Sequence, residues 1–258
     1  MKVLILAGGQ GTRLGELGKQ IAKPMIKVCG KPVLEYQIEL LSRYDFSNIV
    51  LVVGHLQEQI MEYFGNGDKW GVKIQYDNQN IEMGTAGRIK NLQVDLEDDF
   101  FVLYGDLMFN VNLVKMLKAH NQYKLTFGNQ LLGTLLVQPT NHPHDCDLLE
   151  VNDDGVINKI FSKPHHVGRT CRNLNNAAIY IFTPQIFRTI ESNRALDFGR
   201  DIFPTIVEER KGILCAYKSD EYLQDMGTPE RLKEVELDVM SGRYEKGMLC
   251  VEEKDFLN

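Results

Sequence analysis

Cysteine, tryptophan and long apolar runs are all scarce in this 258-residue sequence, which has five Cys and one Trp. The cysteines (Cys29, Cys146, Cys171, Cys215 and Cys250) are odd in number, and no two have CxxC spacing. A disulfide framework is therefore not expected, and reduced thiols fit better. His142, His144, His165 and His166 gather around Cys146, but prolines interrupt them and no H-x₃₋₅-H pair occurs, so no zinc site is expected either. No stretch approaches the roughly 20 apolar residues of a membrane span. The first apolar run, Val3 to Ala7, is too short for a secretory signal. The expectation is a soluble, cytoplasmic protein. Positive charge is in the minority, with 29 basic residues against 35 acidic and a net charge of −6. That balance argues against nucleic acid or an anionic membrane as partner. Two phosphate-loop patterns are missing as well. GxxxxGK[ST] does not occur, and the dinucleotide pattern would need a glycine where Leu14 stands.

The remaining composition is ordinary for a globular chain, 43% hydrophobic and 25% charged. At this length a chain can bury about three quarters of its unfolded surface. Val3–Ala7, Ile49–Val53 and Phe100–Tyr104 read as strands apolar on both faces, and Val72–Tyr76 as a short alternating one. Pro32–Tyr44, Gln57–Phe64 and Thr85–Leu92 read as helices between them. Such alternation predicts an α/β fold, a Rossmann-like, mostly parallel central sheet with helices on both faces. After about residue 120 the pattern turns antiparallel over Leu131–Gln138 and Leu148–Ile160, with Asn152-Asp153-Asp154-Gly155 as a hairpin turn. Leu174–Phe182, Ile213–Tyr217 and Glu221–Leu223 add strands to a mixed sheet. Pro229–Met240 is a helix entered through Thr228. The reading is one domain over residues 1–245, with a nucleotide-binding half to about 110, a second half to 240 and a tail over 246–258. The antiparallel half offers an edge for a homodimer.

Gly8-Gly9-Gln10-Gly11-Thr12-Arg13-Leu14 follows the first strand directly. Glycines there let backbone N–H groups approach an anion, and ligands collect beyond the carboxyl ends of parallel strands. Between Gln10 and Pro32 the charged residues are Arg13, Lys19, Lys23, Lys27 and Lys31 against Glu16 alone. A local charge of +4 thus sits in a chain whose remainder carries −10. Cations gathered on a glycine-rich loop suit a triphosphate.

This segment, followed by Lys23-Pro24-Met25, resembles the signature of sugar-1-phosphate nucleotidylyltransferases. The resemblance continues at Met83-Gly84-Thr85-Ala86-Gly87, Gly105-Asp106, Lys163-Pro164, Asn176-Ala177-Ala178-Ile179-Tyr180 and Asp225-Met226-Gly227-Thr228-Pro229. It covers about residues 1–240 and is most like the guanylyltransferases of D-glycero-D-manno-heptose 1-phosphate or mannose 1-phosphate. His142–Glu150 and Lys163-Pro164-His165 lean toward the heptose branch.

The resemblance implies a glycosyltransferase-A-like fold and a reaction that joins a nucleoside triphosphate, GTP by preference, to a sugar 1-phosphate with release of pyrophosphate. It places Ala7, Gly8, Gly9, Gly11 and Thr12 at the nucleotide. Arg13 goes to the β- and γ-phosphates, Lys23 to the α-phosphate and Lys163 to the sugar phosphate. Asp106 and Asp225 would share one Mg²⁺, although 119 positions separate them. Gly84 and Thr85 would approach the base or ribose, with Thr85 also readable as a helix cap. Gln79 offers an amide to the base edge, while Asn176 and Glu150 would meet sugar hydroxyls. This sequence also departs from the family. Ser162 stands where a Glu commonly precedes Lys-Pro, Arg88 replaces a small residue, and Ala178 replaces a usual glycine. A catalytically silent NDP-sugar sensor is the alternative, yet Arg13, Lys23 and both aspartates are all present.

Overall fold

The computed structural model describes residues 1–78, 83–140, 143–164 and 174–246. Its internal contacts separate two compact units, and each draws on more than one stretch of chain. The first gathers Lys2–Asn80, Tyr104–Leu113 and Glu221–Asn258; the second holds Ile81–Leu103 and Val114–Asp220. This division differs from one at residue 110, because the last segment returns to the unit that the first residues begin.

In the first unit the strands Lys2–Ala7, Asn48–Val53 and Lys73–Asp77 lie parallel, with Asn48–Val53 in the middle. Val3, Leu4, Ile5, Ile49, Leu51 and Val53 are fully or nearly fully buried, as the unbroken apolar runs predict for a covered parallel sheet. The helix Val33–Arg43 buries Val33, Leu34, Ile38, Leu40 and Leu41. It also buries Gln37, whose Nε2 donates to the carbonyls of Tyr104 and Leu107 at 3.0 and 2.7 Å. In the helix Gln57–Phe64, Ile60 and Phe64 are buried and Met61 is half-buried. Leu107–Asn110 pairs antiparallel with Tyr222–Asp225. Thr228 caps the helix Pro229–Met240, its side chain accepting from Arg231 N–H at 3.4 Å.

The second unit is a mixed sheet. Leu131–Gln138 runs antiparallel to Asn175–Phe182 and parallel to Ile213–Lys218. Its antiparallel partner is therefore Asn175–Phe182, while Leu148–Val151 and Ile157–Phe161 pair with each other. The turn of that hairpin is the expected one. Asn152 Oδ1 accepts from Asp154 and Val156 N–H, and Gly155 takes a positive φ of 81°. Tyr180, Phe182, Phe198 and Phe203 form an aromatic core with ring centroids 4.9–6.1 Å apart. A 15-residue helix, Leu113–Phe127, went unread in the sequence. Its buried face includes His120, whose Nδ1 lies 2.8 Å from Thr134 Oγ1. Among the described residues no helix is long and apolar enough to cross a membrane.

Candidate active site

The glycine-rich segment leaves the strand Lys2–Ala7 at its carboxyl end, with Ala7 buried and Gly9, Thr12 and Arg13 exposed. Gly11 adopts φ 63°, and Leu14 N–H donates to its carbonyl at 2.9 Å, closing the turn Thr12–Leu14. Leu14, where a dinucleotide loop would need glycine, is 5% exposed and packs with Ile26, Val28, Met108, Met226 and Val235. That apolar anchor seats the turn. Its close packing also needs Gly18, which the sequence did not single out. A Cβ there would lie 2.3 Å from the Gly11 carbonyl oxygen. Around Gly9 the described residues leave open space within 4 Å of an added Cβ, so its smallness is available to a ligand.

Lys23 and Asp106 meet directly, ammonium on carboxylate. Two supports bring them together. Gly105 N–H donates to the Leu6 carbonyl at 3.0 Å, fixing the turn beside the first strand. Pro24 packs on Gly105, where an added Cβ would lie 3.2 Å from the proline ring. Asp225 arrives through the antiparallel pair Leu107–Asn110 with Tyr222–Asp225. Asp225 stands opposite Leu107, and Met226 N–H donates to the Asp106 carbonyl at 3.2 Å. The 119-residue gap is closed by sheet pairing.

Asp225 has a partner that the sequence did not reveal. Arg231, 9% exposed, directs its Nη1 to Oδ1 and Oδ2 of Asp225 at 2.9 and 2.7 Å. Oδ1 also accepts from Gly227 N–H at 2.9 Å. Burial alone would push this carboxyl up. The Arg231 hydrogen bonds and charge, with Gly227 N–H and the Lys23 charge, outweigh burial and hold it below the usual carboxylate range. Arg13 is in the same place, its Nη2 3.1 Å from where a Gly227 Cβ would sit. Arg13, Lys23, Asp106, Asp225 and Arg231 thus lie around one glycine-lined corner of the first unit. Two carboxylates of hard oxygen suit Mg²⁺, which takes one or two such ligands and completes its shell with water and phosphate. Asp106 and Asp225 would hold it. Among the described residues no group of three or more His, Cys, Asp or Glu side chains could hold a metal.

The remaining expected residues, Gln79 apart, lie in the second unit. Thr85 does not cap its helix, which begins after Met83 without a side-chain cap. Its Oγ1 donates to Asp197 Oδ2 at 2.8 Å and accepts from Phe198 N–H at 3.0 Å. The small residues Gly84 and Gly87 admit the chain's own backbone. Added Cβ atoms would lie 2.4 Å from the Leu196 oxygen and 2.6 Å from the Arg194 oxygen. Asn176 is half-buried, its Oδ1 3.3 Å from Ala178 N–H. Ala178 adopts φ 58°, in the left-handed region that favours glycine. Glu150 faces Lys159 across the hairpin at 3.7 Å, Lys163 is exposed and Arg88 is half-buried. Gln79, His142 and His165 lie outside the described residues.

Residues 2–242 match the family described as Nucleotidyl transferase. Among curated relatives, a UTP–glucose-1-phosphate uridylyltransferase from Synechocystis is 33% identical over 81% of this chain. The catalytic subunit beta of mannose-1-phosphate guanylyltransferase from Danio rerio is 32% identical over 89%. The matched regions span only 55% and 62% of those relatives' own lengths. Among solved structures, HddC from Yersinia pseudotuberculosis complexed with GMP-PN superposes with a TM-score of 0.75 at 25% identity. That match covers 92% of this chain and 99% of the other. The mixed α/β fold, the glycine-lined corner and this match over nearly the whole sequence agree, and the chain belongs to the nucleotidyl transferase family.

Proposed function

We propose that this protein transfers a nucleoside monophosphate from GTP to a sugar 1-phosphate, D-glycero-D-manno-heptose 1-phosphate in the first place, releasing pyrophosphate and giving an NDP-sugar for surface polysaccharide biosynthesis. The observation that carries the reading is the meeting of Arg13, Lys23, Asp106 and Asp225 beside a glycine-lined loop. Both reactants are anions, so positioning and charge neutralisation dominate the chemistry. An oxygen of the sugar phosphate forms the new bond to the α-phosphorus as the bond to the β-phosphate oxygen breaks. Arg13 presents a planar fork to the departing pyrophosphate. Lys23 moves its ammonium from Asp106 to the α-phosphate, and Lys163 holds the sugar phosphate. Mg²⁺ at Asp106 and Asp225 supplies further positive charge to the phosphates when bound.

Guanine is favoured by the likeness to HddC in complex with GMP-PN and to the guanylyltransferase of Danio rerio. Mannose 1-phosphate is the second choice of acceptor. The Synechocystis relative keeps UTP with glucose 1-phosphate as a second reading. The test is a panel of GTP, UTP, dTTP, CTP and ATP against heptose, mannose and glucose 1-phosphates, with pyrophosphate measured. The expected outcome is fastest release with GTP and heptose 1-phosphate. No release from any pair with Mg²⁺ present would overturn the activity, and full activity of Asp225→Ala would remove the metal assignment.

A further inference from the structure

Asp147 stands just before the strand Leu148–Val151, half-buried, and no role has yet been given to it. Its Oδ1 accepts a hydrogen bond from Lys163 N–H at 3.2 Å, and its carbonyl accepts from Asn176 N–H at 3.0 Å. The residue is therefore tied to both positions that the family resemblance assigns to the sugar phosphate and the sugar. Among the described residues, Oδ2 takes no hydrogen bond. It faces Gly199, where an added Cβ would lie 2.7 Å from Oδ2 and 3.9 Å from Asn176 Nδ2. Gly199, itself buried, thus lets the carboxylate come close on the side of the Asn176 amide, where any side chain would collide with it. Asp197, the neighbouring carboxylate, is committed at both oxygens, to Thr85 Oγ1 at 2.8 Å and Gly199 N–H at 3.2 Å. Of the two, Asp147 is the one with an oxygen that accepts from no described residue.

Asn176 completes the pair. Its Oδ1 is occupied by Ala178 N–H, which leaves the Nδ2 donors on the Gly199 side. An ionised carboxylate beside an amide N–H₂ suits sugar hydroxyls, which donate to the first and accept from the second. The sequence lacks the glutamate that commonly precedes Lys-Pro, and Ser162 there is exposed. The hydrogen bond from Lys163 N–H places the carboxylate of Asp147 on the residue next to that gap. We propose that Asp147 is the carboxylate with which this chain recognises the hydroxyls of its sugar 1-phosphate, in place of the missing glutamate. The assignment rests on the nucleotidylyltransferase reading above and names a specificity residue within it.

The experiment compares wild type, Asp147→Asn, Asp147→Ala and Asp147→Ala/Ser162→Glu, each confirmed folded by its thermal melt. Steady-state constants are measured for the preferred nucleotide and sugar 1-phosphate, and for deoxy analogues of that sugar. Losing a charge-assisted hydrogen bond in a site costs roughly 10–100-fold. Both single variants are expected to raise KM for the sugar 1-phosphate by that factor while KM for the nucleotide stays within twofold. One deoxy sugar should abolish the difference between wild type and Asp147→Asn, and Ser162→Glu should restore part of the loss in Asp147→Ala. Wild-type turnover with unchanged sugar KM in both single variants would overturn the role of Asp147 and leave the activity standing. Absence of wild-type turnover, with no sugar 1-phosphate binding by calorimetry, would overturn both. Equal rises in the KM of sugar and nucleotide would mark Asp147 as merely structural and also defeat the proposal.

Discussion

Five cations lie between Gln10 and Pro32, and the fold puts them to different uses. Lys19 pairs with Glu16 at 2.6 Å on the surface, and Lys31 reaches Glu39 at 2.7 Å and lies over the Tyr36 ring. Lys27 is exposed on the short strand Lys27–Val28. Only Arg13 and Lys23 reach the corner that holds Asp106 and Asp225, so the local charge of +4 is not all phosphate-binding charge. Replacing Arg13 or Lys23 by Ala is expected to lower kcat/KM by about 10²–10³-fold, while Lys19→Ala and Lys31→Ala should change it less than twofold. Initial rates of pyrophosphate release separate the two classes, and a tenfold loss in Lys31→Ala would refute the sorting. The same contrast shows what could be read from sequence. Gly8 to Arg13 follow a strand directly, so local order revealed them. Gly18, Arg231 and Asp147 act through contacts between distant stretches, and no local pattern marks them. Ala178 is intermediate. The family resemblance exposed the missing glycine, but only its φ of 58° shows the consequence. Removing that Cβ relieves left-handed strain, partly offset by a freer unfolded chain. Ala178→Gly should therefore stabilise the fold by about 0.5–1 kcal/mol in urea melts.

Most elements could be read from apolar periodicity, and those that could not had polar groups on their inner faces. The helix Leu113–Phe127 buries Leu113, Met116 and His120. Its stripe breaks at His120, whose burial rests on Thr134 from another strand and on Asp99, 3.4 Å from Nε2. The helix Pro229–Met240 was legible because Thr228 and Pro229 announce its start. Its first turn does more than the cap implied, since it carries Arg231 to Asp225. The carboxyl of Asp225 is held below its ordinary value in the fold, so the pair contributes stability in full above the unfolded carboxylate value and loses it as pH falls through the folded one. In metal-free buffer, Arg231→Met should cost about 1–2 kcal/mol at pH 7, a figure discounted because the Asp225 side chain is 37% exposed. The gap from wild type should stay constant down to about pH 5 and narrow below pH 4. Denaturant melts at pH 7, 5 and 3.5 check this, and a gap that widens toward acid would contradict the ion pair.

At the scale of the molecule, the acidic total of −6 argued against polyanion partners but averaged over an uneven distribution. The first unit assembles its cations and carboxylates from three separate segments. Arg13 and Lys23 come from Lys2–Asn80, Asp106 from Tyr104–Leu113, and Asp225 and Arg231 from Glu221–Asn258. A ligand that bridges these groups must tie all three segments together, and it stabilises the folded chain by its affinity for that arrangement alone. Nucleoside triphosphate with Mg²⁺ at one hundred times its Kd should add about 2.7 kcal/mol. For a chain of this size that corresponds to a rise of roughly 5–10 °C in Tm. Thermal melts with each of the five triphosphates rank the bases without requiring turnover, and GTP should give the largest shift. Hydrogen exchange under the same conditions should slow together at the Gly8–Leu14 loop, at Gly105–Leu107 and at Asp225–Gly227. Arg13→Ala should abolish the Tm shift while leaving the unliganded melt within a degree or two. Protection confined to the loop, with the other two segments unchanged, would mean that the triphosphate binds without engaging the carboxylates, and the metal assignment would fall with it.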